Sequence, residues 1–257
     1  MKAFSILIAL VLSSLVSDAQ VPDLMNWKLD SLPVGERFYT ANHSADNWLF
    51  KLTGGKWKVV QNKDGQQKGD SIPPGLITSD VKRKVGLERG QSFVKRVSDG
   101  FLVGKDGGEF GGGLFFIGLD GGLLVVRDRI NVRSIIEYNG KLLAIEGLAH
   151  LGSYSGQILE IFKEGDRWSC RLLTTLVDAP ILIERFGDEL LIVTSQHLLK
   201  LGRGFKTTEV LKSPIYWGSL YPTSMLIDRT DLYLAMRQGV LKIKDFESQP
   251  VYAWYVL

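Results

Sequence analysis

From residue 92 onward the chain alternates apolar runs of roughly four to seven residues with turns built from Gly, Asp and Asn, and helical period is almost absent. Runs of this length, bounded by such turns, predict β-strands. One run recurs at a near-constant interval. It starts at Phe101 (Phe-Leu-Val-Gly), Leu142 (Leu-Leu-Ala-Ile), Leu190 (Leu-Leu-Ile-Val-Thr) and Leu232 (Leu-Tyr-Leu-Ala-Met), at spacings of 41, 48 and 42 residues. An Asp or Asn turn leads into each copy, at residues 98–100, 138–140, 187–188 and 230–231. A third strand follows at 156–161, 197–201 and 239–243, its apolar and polar residues alternating as in a sheet with one better-buried face. Fourth strands are expected at 168–173, 206–211 and 251–256.

Four strands in a unit of roughly 40 to 50 residues make the blade of a β-propeller. The chain therefore reads as all-β, a single propeller of four-stranded antiparallel blades. Five blades are expected, or six if residues 61–91 form strands of their own. An earlier unit at 37–40, 48–52 and 57–60, with Thr53-Gly54-Gly55 as a hairpin turn, counts as the first blade. Residues 61–91 are polar and carry Gly and Pro, which reads as an insertion or one degenerate blade. The last strand, with Trp254 and Tyr255, is expected to complete the first blade and so leave no sheet edge exposed. A β-sandwich shows comparable turn spacing and is the competing architecture.

The first residues change the picture in another way. Lys2 precedes residues 3–12, apolar except for Ser5, and small residues stand at Ser17 and Ala19. This is the pattern of a secretory signal peptide cleaved after Ala19, with residues 20–257 as one mature domain. The apolar run is too short for a bilayer, which takes about 20 residues. No later segment is long and apolar enough either, so no integral membrane segment is expected and the destination is periplasmic or extracellular. Cys170 is the single cysteine, which excludes an internal disulfide, and its apolar neighbours at alternate positions read as a buried strand. Lys and Arg number 31 against 28 Asp and Glu, spread along the chain, so a concentrated face for nucleic acid is not expected.

The repeated order of a Gly or Asp turn, an apolar strand, and then a strand such as His197-Leu198-Leu199-Lys200-Leu201 or Gly239-Val240-Leu241-Lys242-Ile243 resembles bacterial repeats of the quinoprotein or YVTN-like β-propeller superfamily. Leu220-Tyr221-Pro222-Thr223-Ser224, Tyr233-Leu234-Ala235-Met236-Arg237 and Trp254-Tyr255-Val256 are similar to segments of exported bacterial propellers. The resemblance implies the fold and assigns no activity. Nothing matches a ligand set for a quinone, and no cofactor is expected.

Motifs that would carry chemistry are thin. The glycine clusters at 104–113 and 120–122 lead into strands and lack a following Lys-Ser or Lys-Thr, so they read as hairpin turns and not a phosphate cradle. Gly69-Asp70-Ser71 copies a short esterase signature, but a polar loop precedes it and no Asp-x-x-His partner follows near the C-terminus. Gly152-Ser153-Tyr154-Ser155-Gly156 has Tyr where a nucleophile would stand. His43, His150 and His197 are too dispersed for a metal motif, and Asn62, Asp64 and Gly65 lack the Glu that a calcium loop needs. Glu146, Glu184 and Asp228 are the acids that could meet at a propeller axis for glycoside hydrolysis. The basic run Lys82-Arg83-Lys84, with Arg89, Lys95 and Arg96, reads as a solvated loop or an anion-binding surface. The sequon at Asn42 matters only in a source that glycosylates exported proteins.

The most suggestive group for partner binding is His150, Tyr154, Trp217, Tyr221 and Arg237, which sit in connections or strand ends of neighbouring units. Loops on a rigid scaffold carry function, and Trp, Tyr and Arg dominate interface centres. The structural alternative has Trp217 and Tyr221 packing under a blade and Arg237 pairing with an acid such as Asp228. Export and the lack of a catalytic constellation point to a non-catalytic protein that binds another protein through one face, of the inhibitor or immunity type. A carbohydrate-active propeller, lectin or glycosidase, is the rival reading.

Overall fold

The structure is a computed structural model that describes residues 21–62, 68–88, 90–150 and 153–257. The expected signal peptide, Arg89 and the Asp64-Gly65 pair lie outside the described residues. In chain order the elements are β1 (Pro22–Asp23), β2 (Lys28–Asp30), helix α1 (Glu36–Asn42), β3 (Trp48–Thr53), β4 (Lys56–Gln61), β5 (Lys68–Gly69) and helix α2 (Ser79–Val85). Then come β6 (Gln91–Val97), β7 (Gly100–Asp106), β8 (Gly113–Gly118) and β9 (Leu123–Asp128), followed by β10 (Val132–Tyr138), β11 (Lys141–His150), β12 (Ser153–Glu164) and β13 (Arg167–Thr175). The last two units are β14 (Pro180–Phe186), β15 (Glu189–Thr194), β16 (His197–Leu201), β17 (Thr207–Lys212), and β18 (Ser224–Asp228), β19 (Asp231–Ala235), β20 (Gly239–Lys244), β21 (Val251–Val256).

These strands form five sheets among the described residues: β1-β4-β3, β5-β6-β7-β8-β9, β10-β11-β12-β13, β14-β15-β16-β17 and β18-β19-β20-β21-β2. Each of the last four contains a consecutive four-stranded antiparallel meander, so the protein is a five-bladed β-propeller. The turns behave as their residues dictate. Asn139 and Gly140, at φ 45° and 73°, supply the two left-handed residues that a tight hairpin between β10 and β11 requires. Repetition extends below the strand pattern: β9, β13 and β17 each carry one extra residue, Val126, Leu173 and Val210, at the corresponding place in the register.

Blade packing makes the core. Leu191, Val193 and Leu198 of one blade meet Leu232, Leu234 and Leu241 of the next around Trp217 and Phe246, and equivalent clusters fill the neighbouring interfaces. Trp48 and Phe50 of the first blade close against Leu226, Tyr233 and Val240 of the last.

Two expectations are corrected, and the choice between five and six blades is decided for five. Residues 37–40 belong to helix α1 and not to a strand, because Phe38 and Ala41 both turn inward, three residues apart, onto the cluster around Trp217. Residues 68–88 add no blade. Strand β5 pairs in parallel along the inner edge of β6, where only glycine fits at 69, since a Cβ would stand 2.1 Å from the Val94 carbonyl oxygen. Helix α2, capped by the Thr78 hydroxyl accepting from Val81 N–H at 3.2 Å, buries Val81 and Val85 against Val94, Phe101 and Val103. Its basic run is partly neutralised by Asp80, which lies 2.8 Å from Arg83 and 2.9 Å from Lys84. Finally, β21 stays in its own blade beside β20, and it is the N-terminal strand β2 that adds outside β21. A short turn joins β20 to β21, so the local hairpin forms in preference to a reach across the ring. The segment 22–30 instead bridges first and last blades, with β1 on β4, β2 on β21 and Trp27 set edge-on against Trp48 at 5.0 Å.

Candidate functional site

One end of the propeller gathers the starts of the inner strands β3, β6, β10, β14 and β18 with the connections between blades. A cavity of about 820 Å³ opens there on the axis, and all five sheets or their connections line it. It continues into a deeper volume of about 400 Å³, the two sharing Leu49, Arg133, Ile181, Leu182 and Thr223.

Two of these shared residues reach the axis through bulges. In β10 the register runs from Val132↔Glu146 to Ser134↔Ile145, leaving Arg133 as the extra residue, and in β14 it runs from Pro180↔Thr194 to Leu182↔Val193, leaving Ile181. A bulge re-aims the side chain it carries. The Arg133 guanidinium is held by Asp106 Oδ2 at 2.5 Å and its Nε donates to the Gly147 carbonyl at 3.4 Å. The upper wall adds Asn47, Lys51, Gln61, Asn62 and Gln91, together with Tyr216, Ser219 and Tyr221, and no carboxylate lines it among the described residues. Glu184 lines only the deeper volume.

Polar groups buttress this wall from beneath. His197 Nδ1 lies 3.0 Å from Asp178 Oδ2, which also accepts from Gln196 N–H at 3.1 Å, while Asp178 Oδ1 is buried without a partner among the described residues. Next to them, burial and the neighbouring Tyr154 hydroxyl push the Tyr216 phenol up to about 12, in spite of its hydrogen bond with Ser195. Tyr216 therefore stays a neutral hydroxyl throughout the physiological range.

The sequence-derived binding residues fall around the rim, with one exception. Tyr221 follows the short helical turn Trp217–Leu220 at φ 53° and is 53% exposed. Arg237 stacks over its ring at 4.0 Å and donates to the Asn42 carbonyl, so its partners are these and not Asp228. Tyr154 is 48% exposed with its ring 5.8 Å from that of Tyr216. His150 Nε2 sits 3.0 Å from Glu109 Oε2. Trp217 is the exception: it is fully buried, and its indole N–H donates to the Thr194 carbonyl at 2.7 Å, anchoring the turn that presents Tyr221. Sequence reasoning did not single out Phe110, 91% exposed beside Glu109, nor Arg133, Lys51, Gln91 and Tyr216 of the cavity wall. Phe110 stood in a glycine cluster read as a turn, and the bulge that turns Arg133 inward has no sequence signature. Of the candidate acids, Glu146 is buried, with its carboxyl pushed up by burial against the opposing pull of Arg127, and Asp228 ends β18 at the opposite end of the blade. No group of three His, Cys, Asp or Glu side chains gathers to hold a metal among the described residues, and no described helix is long and apolar enough to cross a membrane.

Sheet order and axial cavity define the chain as a β-propeller with a ligand-sized opening at one face. No protein-family model and no curated protein matches it. Among solved structures it is similar to virginiamycin B lyase from Staphylococcus aureus, at 15% identity and a TM-score of 0.42, over 88% of this chain and 73% of that one. It is also similar to a streptogramin B lyase, at 14% identity and a TM-score of 0.36, over 65% of this chain and 58% of that one. The lyase chemistry in those names belongs to those proteins.

Proposed function

We propose that this chain is an exported, non-catalytic binding protein that recognises another protein through the rim of the open propeller face, in the manner of an envelope inhibitor or immunity-type protein. The observation that supports this reading most directly is the exposed set of Phe110, Tyr154 and Tyr221, with Arg237 stacked on the last, all on connections or strand ends at one end of a rigid scaffold. Exposed aromatic residues with an ordered arginine are the residue types that dominate protein-interface centres, and clustered apolar exposure on a soluble domain marks a contact surface. Hydrolysis of a glycoside by paired carboxylates finds no support in the upper cavity wall, which offers no acid among the described residues.

The test is site-specific photo-crosslinking in the native host. A crosslinker replacing Phe110 or Tyr154 is expected to capture one discrete partner, and the same group at Asn139, on the opposite end of the blades, is not. Adding Tyr221→Ala and Arg237→Ala should reduce the captured band about thirtyfold, as expected for loss of an interface centre worth about 2 kcal/mol. Equal capture from both ends, or capture indifferent to the double change, would sink the reading.

A further inference from the structure

We propose that the axial cavity is a binding site for a carboxylate-bearing oligosaccharide, its acid held by Arg133 and Lys51 and its hydroxyls by the amide side chains of the upper wall. This inference goes beyond the rim reading: it shares Tyr221 with that reading but rests on the cavity and on the first blade.

The first observation is the size and enclosure of the space. About 820 Å³, lined from all five blades, lies within the roughly 300–1,000 Å³ typical of small-ligand sites. The second is the sign of its charge. Arg133 and Lys51 line the wall and no carboxylate does, among the described residues. Asp106 grips one edge of the Arg133 guanidinium from behind, which orients the group and offsets part of its charge. Lys51 has no such partner among the described residues.

The third observation is a cost built into the sheet. In the β3–β4 hairpin Lys51 stands directly opposite Lys58, and Lys56 lies on the same face opposite Thr53. None of the three lysines has an ion pair among the described residues. Like charges directly opposite across an antiparallel pair destabilise it. The neighbouring face of the same hairpin carries Trp48, Phe50 and Trp57 and packs against the last blade, so the lysine face is the one turned away from that interface. An anion seated beside Lys51 relieves this repulsion, so binding and stability are linked.

The fourth observation separates a sugar from a simple anion. Asn47, Gln61, Asn62 and Gln91 supply amide donors and acceptors, and Asn47 Oδ1 is buried without a donor among the described residues. Sulfate brings acceptors only and leaves amide oxygens unmatched, and phosphate near neutral pH brings at most about two O–H donors. A ligand with both carboxylate and hydroxyl groups satisfies both kinds of wall, and the Tyr216 and Tyr221 rings border the space where sugar faces would lie.

The experiment is calorimetric titration of the mature chain with a panel of acidic trisaccharides (galacturonate, guluronate and sialyl types), with maltotriose as the neutral counterpart and with inorganic phosphate. At least one acidic trisaccharide is expected to bind, with maltotriose and phosphate each weaker by about tenfold or more and with affinity falling as salt rises. Lys51→Gln should weaken that binding about tenfold while raising the melting temperature of the unliganded protein, since it removes the repulsion from Lys58. Lys58→Gln, outside the cavity wall, should raise the melting temperature likewise and weaken binding less. The proposal is overturned if none of the panel binds at millimolar concentration, if maltotriose binds as well as the acidic sugars, if phosphate binds as tightly as they do, or if Lys51→Gln binds like the parent. A merely structural role for Lys51 would move the melting temperature alone.

Discussion

Trp217 shows how one side chain can be read correctly by type and misjudged by place. Its position in a loop between units suggested an interface residue, yet the indole is fully buried and hydrogen-bonded to Thr194. Trp217→Phe, which keeps most of the ring and removes the donor, should cost about 1–2 kcal/mol, and Trp217→Ala about 3–5 kcal/mol through the cavity it leaves; urea unfolding checks both. Glu146 is the complementary case. Burial raises its carboxyl, so the fold favours the protonated form, and the stability of the parent declines as pH rises from the ordinary carboxylate value of 4.5 to the higher folded value. Glu146→Gln should therefore be more stable than the parent at pH 7, with the gap closing as the pH drops below about 4; thermal melts across pH decide it, and a variant less stable at neutral pH contradicts the reading.

At the scale of elements, the third blade carries a charged bridge across three strands. Glu160 on β12 meets Lys141 on β11 at 2.5 Å and Arg171 on β13 at 2.7 Å. Lys141 first, and then Arg171, hold its carboxyl below the ordinary value against the pull of burial. A depressed carboxylate contributes stability that is fully present above its unfolded value and is lost as pH falls through the folded one. Glu160→Gln should thus lose about 1–3 kcal/mol at pH 7, and its difference from the parent should shrink in acid, below about pH 4.5. The elements also show which patterns a sequence exposes. Second, third and fourth strands were legible because Leu142, Leu190 and Leu232 open alternating apolar runs behind turn residues. Helices α1 and α2 were not, since seven residues make only two turns, too few for Phe38 and Ala41, or Val81 and Val85, to establish a period. The bulges at Arg133 and Ile181 were equally silent, because an extra residue is defined by the strand opposite it.

At the scale of the whole molecule, the ring is held shut by residues 22–30, which join the first and last blades. Removing residues up to Ser31 deletes the β2 ladder and the Trp27 contact with Trp48. The expected loss is about 2–4 kcal/mol, a drop of about 5–15 °C in melting temperature; calorimetry of the shortened chain tests it, and an unchanged melt would show that the Trp48–Tyr233 interface closes the ring alone.

The all-β class, the blade length and the placement of rim residues such as Tyr154 and Tyr221 at strand ends or in connections were determined by the sequence alone, because strand alternation and turn chemistry are local properties of a few neighbouring residues. Which terminus closes the ring, what became of residues 68–88 and which side chains face the axis were decided only in the tertiary structure. Those outcomes depend on pairings between residues far apart in the chain: Lys28 with Val256, Lys68 with Phe93, and Arg133 with Asp106 from the blade before. The cavity exists only where five such units converge, and no single repeat encodes it.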